Sequence, residues 1–274
     1  MIGVSICDLC NKKGIDFDDL EVRADLGEYS AQIILGMLRT EQGDYESGEE
    51  LCLKGFWGAA KAKDTSVKML MDVIKLNSLN NSDFQQLYFR VKYPLALALK
   101  DDSLFTEIVK WAEPLADSGS SFCQYVAGVL YAQGKGVQQD YSKALEYLNK
   151  SADNGEDKAQ FQLAKMYLTG DGVEEDTGKG SHYMTEAVRN GNADAAEFMG
   201  RLFLNDKNYK EAAILLLRAA KKGKTHAQFL IGLMFLQGQG VEENHSEGIR
   251  WLRKAAEGNN DDAKILLEKL DLRD

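Results

Sequence analysis

At 274 residues, 44% apolar and 28% charged, the chain has the composition of a folded globular protein and the length to bury a sizeable core in one or two domains. Its net charge of −10 disfavours nucleic acid and anionic membranes, whose phosphates need lysine and arginine, and favours a basic partner. No apolar run approaches the roughly 18–20 residues of a membrane-spanning helix, and with only two prolines, Pro94 and Pro114, long stretches are free to be helical.

In chain order, the opening stretch Met1–Cys7 has no basic leader and too short an apolar run for a signal peptide, so a cytoplasmic location is expected. Cys7 and Cys10 stand in a Cys-x-x-Cys spacing. Neither a second such pair nor a histidine pair follows to complete a zinc site, and no βαβ context supports a redox motif. They are expected to be two cysteines near a helix start or a frayed terminus. Residues 1–58 read as an N-terminal cap and a first short repeat, Gly27 to Trp57. They carry most of the charge, with five lysines and arginines against twelve acids.

Residues 59–118 are expected to be helical but irregular. Lys61–Leu76 and Asp83–Lys100 fit the repeat poorly, Asn77–Ser82 separates them, and Tyr93-Pro94 is expected to break a helix. The end of this stretch, Trp111 to Gly119, falls at the offset of a second repeat helix.

From Gly119 the chain repeats itself. Three stretches align without gaps at a 36-residue length, beginning at Gly119, Gly155 and Gly223; Gly191–Lys222 is the same unit shortened by four residues. Each long copy carries a small residue followed by glutamine (Cys123-Gln124, Ala159-Gln160, Ala227-Gln228). A small residue follows five positions after the first of these (Gly128, Ala164, Gly232), then an aromatic (Tyr131, Tyr167, Phe235) and a Gly-x-Gly-Val loop. Counted from the first small residue, offsets 0, 4, 7 and 8 lie on one side of a 3.6-residue helix and predict the buried face of a first helix, A. A glycine inside a helix costs about 1 kcal/mol against alanine, so its return at offset 5 predicts a close crossing with the second helix, B. The loop glycines suit the left-handed residue that ends a helix, and the valine is expected to plug back onto the pair. Residues 119–258 thus read as four repeats and 259–274 as a C-terminal capping helix. Two such helices cannot bury their apolar faces alone, so neighbours must stack.

The pattern Ala-Gln-x-x-Leu-Gly-x-x-Tyr-x-x-Gly-x-Gly-Val, then Ala-x-x-Trp-x-x-Lys-Ala-Ala-x-x-Gly, resembles the Sel-one-like repeat (SLR), a relative of the tetratricopeptide repeat. Ala227 to Gly258 matches it best, including Trp251-Leu252-Arg253-Lys254-Ala255-Ala256. The resemblance implies an all-α fold, a right-handed α/α superhelical solenoid acting as an adaptor or assembly platform, with no catalytic machinery common to the family and no cofactor.

Signatures of chemistry are missing. No Gly-x-x-x-x-Gly-Lys-Ser/Thr, Gly-x-Ser-x-Gly or His-Glu-x-x-His occurs, and Gly170–Asp176 lacks the alternate spacing of a calcium loop. The histidines, His182, His226 and His245, are expected at the surface or at helix starts. Offsets 2 and 6 point away from the predicted core face, on the helix that lines the concave side of such superhelices. They hold Ile33 and Met37, Tyr125 and Val129, Phe161 and Lys165, Glu197 and Arg201, and Phe229 and Leu233, changing identity from copy to copy. This row is the candidate partner-binding surface. The function expected is non-catalytic protein binding, as an adaptor, a scaffold or a specific inhibitor, including an immunity-type protein against a basic toxin. The alternative is an enzyme or small-molecule binder of the β-lactam type. The secreted SLR proteins of that kind carry paired cysteines in each unit, whereas here only Cys123 sits in a clear repeat.

Overall fold

The computed structural model describes residues 16–62, 88–89, 92–93, 96 and 102–271. Among them are thirteen helices and no strand. Helices α1 (Phe17–Asp25), α2 (Tyr29–Glu41) and α3 (Tyr45–Ala62) come first, then α4 (Asp102–Asp117). The long repeats supply α5 (Ser121–Gln133) with α6 (Tyr141–Asp153), α7 (Asp157–Thr169) with α8 (Thr177–Arg189), and α11 (Thr225–Gln237) with α12 (His245–Glu257). The short repeat supplies α9 (Ala193–Asn205) with α10 (Tyr209–Lys221), and α13 (Asp261–Asp271) closes the series. Cys7, Cys10, Pro94 and the 77–82 segment lie outside the described residues.

The chain divides into two compact units, Met1–Tyr147 and Leu148–Asp274, with the division inside α6. In the first unit Leu20, Ile33, Met37, Ile108 and Leu130 are among the core residues, each no more than 1% exposed. In the second, alanines and a few large residues (Leu216, Ile231, Met234, Trp251) fill the space between helix pairs.

Local chemistry sets the helix ends. Ser120, Asp176, Asn192 and Asn244 each accept a hydrogen bond from the backbone N–H three residues on, satisfying a first-turn donor that has no helical partner. Helices α5, α7 and α11 end on Gly134, Gly170 and Gly238, each left-handed with φ between 63° and 70°. The loop valines Val137 and Val241 pack against their unit's core, as the plug reading expects.

The glutamine of the repeat has a structural task. Gln32, Gln124, Gln160 and Gln228 are at most 9% exposed, and each donates its side-chain N–H to the backbone carbonyl eight residues earlier, Ala24, Ala116, Ala152 and Ala220, at 3.0–3.2 Å. Those carbonyls sit in the last turn of the preceding helix, and each also accepts from the backbone N–H three residues on, of Gly27, Gly119, Gly155 and Gly223. The glutamine gives that carbonyl a second hydrogen bond, worth about 0.5–1.5 kcal/mol, and in four of the repeats it ties helix A to the helix before it.

Candidate functional site

Among the described residues no group of three or more His, Cys, Asp and Glu side chains is placed to hold a metal ion. His182, His226 and His245 are exposed and lie on different helices. Cys52 and Cys123 are buried thiols outside any disulfide, and burial pushes the Cys123 thiol up to about 11, so it stays protonated at neutral pH.

One polar cluster in the first unit has the composition of a catalytic site. The Tyr131 hydroxyl donates to Glu113 at 2.5 Å, while Lys143 Nζ donates to Glu113 at 2.6 Å and to the Tyr131 oxygen at 2.6 Å. Tyr147 stacks on Tyr131 at 6.2 Å and donates to Asp117 at 2.9 Å. The second unit repeats the arrangement 36 residues on. There Tyr167 stacks on Tyr183 at 5.9 Å, Lys179 lies 5.2 Å from the Tyr167 ring, and the Tyr183 hydroxyl donates to Asn149. A copy in which the glutamate has become asparagine shows what the cluster does. It pins one repeat to the next through aromatic stacking and a polar tip.

This pin has a pH signature. Burial pushes Glu113 up, but the hydrogen bonds from Lys143 and Tyr131 outweigh it and hold the carboxyl below its ordinary 4.5. Its stabilisation is therefore complete above about pH 4.5 and fades as pH falls through the lower folded value. Lys143→Met removes the lysine's bond and charge and leaves the Tyr131 bond opposing burial, so Glu113 rises back toward its ordinary value and the slope flattens. We expect the variant to lose about 1 kcal/mol at pH 7, since the pair is partly exposed, and much less at pH 3. Urea melts at the two pH values check this; an equal loss at both would remove Glu113 from the account.

The helix-A row is only partly where its offsets suggested. Ile33, Met37 and Val129 are buried, at 0%, 1% and 6% exposure, so the expectation that these offsets point away from the core is corrected for them. Helices packed on two sides need an apolar face wider than offsets 0, 4, 7 and 8. Tyr125, Phe161, Phe229 and Leu233 are half-buried, the three aromatics resting against their unit's core with an edge outward. Glu197 is half-buried, Lys165 and Arg201 are exposed, and Lys165 Nζ lies 5.7 Å from the Phe161 ring centre.

Sequence reasoning missed two neighbours of this row. Phe198 is 39% exposed and Leu202 49% exposed, one turn apart on α9. Leu202 occupies offset 7, where Leu38, Leu130, Met166 and Met234 are at most 2% exposed. The buried-face assignment is corrected there. The shortened α9–α10 connection, Asp206–Asn208, does not mark it, since the equally short α2–α3 connection, Gln42–Asp44, goes with a buried Leu38.

A Sel1 repeat profile matches residues 121–156, 157–192, 193–224 and 225–260. The fold is similar to that of a Sel1 repeat protein from Oxalobacter formigenes, with 21% identity, a TM-score of 0.63 and coverage of 93% of this chain and 79% of that one. It is also similar to c5321, a protective antigen of uropathogenic Escherichia coli with an SLR fold, at 22% identity and a TM-score of 0.53. That match covers 90% of this chain but only half of the antigen. No curated protein is matched by sequence. Four consecutive matches cover just over half of the residues, and each carries the helix pair and buried small residues that the motif encodes; the chain belongs to the Sel1 repeat family.

Proposed function

We propose that this chain is a non-catalytic protein-binding protein, an adaptor or a stoichiometric inhibitor, which holds its partner on helix-A side chains. Sel1 repeats generally mediate protein–protein binding. The observation that carries the reading is the outward edge of three successive helices in the second unit. α7 presents Phe161 and Lys165, α9 presents Glu197, Phe198, Arg201 and Leu202, and α11 presents Phe229 and Leu233, all half-buried or exposed. Aromatic and arginine side chains set among aliphatic ones are the composition of interface hot spots. In the first unit Tyr125 is the member of the row with an outward edge, and Ile33, Met37 and Val129 are core.

Charge supports a basic partner. Helix α1 exposes Asp18, Asp19, Glu21 and Asp25, and its one cation, Arg23, is already paired with Glu28 and Asp19. An inhibitor of the immunity type, neutralising a basic toxin, is the form that this charge suits.

The test uses residues outside the core, so folding and binding separate. Phe198→Ser, Arg201→Ala and Leu202→Ser together are expected to weaken partner binding at least tenfold, with a thermal melt within about 2 °C of the parent. Removing exposed hot spots costs binding free energy and little stability. The partner is first captured with the full chain and located by cross-linking to α7, α9 and α11. Undiminished binding by the triple variant would overturn this assignment of the site.

A further inference from the structure

We infer that the second unit holds a separate anion-binding pocket, built for a carboxylate on an acidic segment of a protein. Its origin is a single break in the glutamine ladder. Where the other repeats carry Gln32, Gln124, Gln160 and Gln228, the short repeat carries Ala196. The carbonyl that a glutamine would reach, eight residues back, is Val188, and Arg218 of α10 donates to it instead at 2.8 Å. Beside Ala196 lies a cavity of about 240 Å³, lined by Asn192, Ala193, Ala196, Arg218, Lys221 and Lys222 among others.

Three features of the lining select an anion. First, Arg218, Lys221 and Lys222 converge on it, and among the described residues none of them has an ion-pair partner. They belong to a basic stretch, Lys207, Lys210, Arg218, Lys221, Lys222 and Lys224, with Glu211 as its one acid, inside a chain whose net charge is −10. Lys224 is already taken by Asp194. Cations in the last turn of α10 complement its dipole, but that does not account for the cavity they surround.

Second, Asn192 is only 4% exposed. It spends its carbonyl oxygen on the Ala195 N–H at 2.8 Å and has no acceptor for its amide NH2 among the described residues. That donor opens onto the cavity, where the oxygen of a ligand can take the place of water. Third, the cavity lies at the start of α9, where the free N–H groups and the helix dipole favour negative charge. A carboxylate, whose two oxygens together offer about four lone-pair sites, can accept from several of these donors. The alanine wall, and Ile214, 61% exposed one turn before Arg218 on the same side of α10, suit a side chain that brings apolar atoms with its charge. That favours an acidic, partly apolar protein segment over a free inorganic anion.

The site is distinct from the helix-A row, so each can fail without the other. The test is titration of the isotope-labelled full chain with a peptide of alternating Glu and Leu, its Gln-for-Glu counterpart, and inorganic phosphate, at low and at physiological salt. The Glu peptide is expected to shift the amide signals of Ala196, Lys221 and Lys222, more weakly as salt rises, and the Gln peptide is not. Ala196→Gln restores the repeat residue, fills the cavity and supplies the Val188 carbonyl with its usual donor. It should melt like the parent or higher and weaken the Glu peptide at least tenfold. Lys221→Gln with Lys222→Gln, both exposed, should do the same and guards against a folding failure of the first variant. Shifts confined elsewhere, equal binding by both variants, or phosphate binding without peptide binding would each overturn the proposal.

Discussion

Replacing Gly240 by alanine is expected to destabilise the second unit by about 3 kcal/mol, far more than the same change at Gly238 two residues earlier. Both glycines are left-handed, with φ of 70° and 63°, so each substitution costs about 1–2 kcal/mol from the backbone alone. The surroundings separate them. A Cβ on Gly238 would meet Glu243 Cβ at 3.3 Å, which a surface side chain can relieve. A Cβ on Gly240 would run into the backbone carbonyl of Tyr209, at the start of the preceding helix B, and overpacking adds about 1–3 kcal/mol. Denaturation of the full chain, followed by helical circular dichroism, should show a loss for Gly240→Ala two to three times that for Gly238→Ala. Equal losses would mean that the loop does not seat on α10.

The first unit carries the same joint. A Cβ on Gly136 would strike the backbone between Phe105 and Thr106, and the Thr106 hydroxyl donates to the Gly136 carbonyl at 3.3 Å. These two Gly-x-Gly-Val loops are therefore joints between consecutive repeats, which gives Gly136 and Gly240 a reason beyond ending a helix. The sequence pattern showed that these glycines recur, and their left-handed role at Gly134, Gly170 and Gly238 follows from helix termination. It did not show what Gly136 and Gly240 touch, because that contact is made to a helix some thirty residues away.

The same division runs through the candidate site. Helix boundaries, capping residues and the offset-5 crossings were legible because each depends on residues within one turn or one helical hairpin. Burial at offsets 2 and 6 was not, since it depends on how many neighbours flank a helix. Ile33 and Met37 belong to the first unit's core while Arg201 and Leu202 are exposed, although both pairs lie on repeats whose two helices are joined by three residues. The pocket at Ala196 was within reach of the sequence. Four copies read glutamine at one offset and the fifth reads alanine, and the compensating arginine lies twenty-two residues further on. What the sequence lacked was the reason for the glutamine, which appears only when its carbonyl partner is located.

The largest effect is expected at a helix crossing. Gly232→Leu should destabilise by at least about 3 kcal/mol, at the top of the usual range for overpacking. A Cβ on Gly232 would lie 3.0 Å from Leu252 Cγ and 3.1 Å from the Gly248 carbonyl oxygen, and one on Gly248 would lie 3.0 Å from the Gly232 oxygen. The two glycines thus bring α11 and α12 into backbone contact, and a side chain that is tight at its Cβ has three more carbons to place in leucine. Gly232→Ala is the graded case. It gains about 1 kcal/mol of helix propensity and loses a similar amount to the tight contact, so its melt should stay within about 1 kcal/mol of the parent. Gly178 is the control, an exposed helical glycine whose one near neighbour is the carboxylate of its own helix cap, Asp176, at 3.3 Å. There a leucine should be neutral or stabilise by up to about 1 kcal/mol, because only propensity changes. A chain that tolerates Gly232→Leu as well as Gly178→Leu would have its helix pairs further apart than this crossing requires. The recurrence of a small residue at Gly36, Gly128, Ala164 and Gly200 would then need another cause.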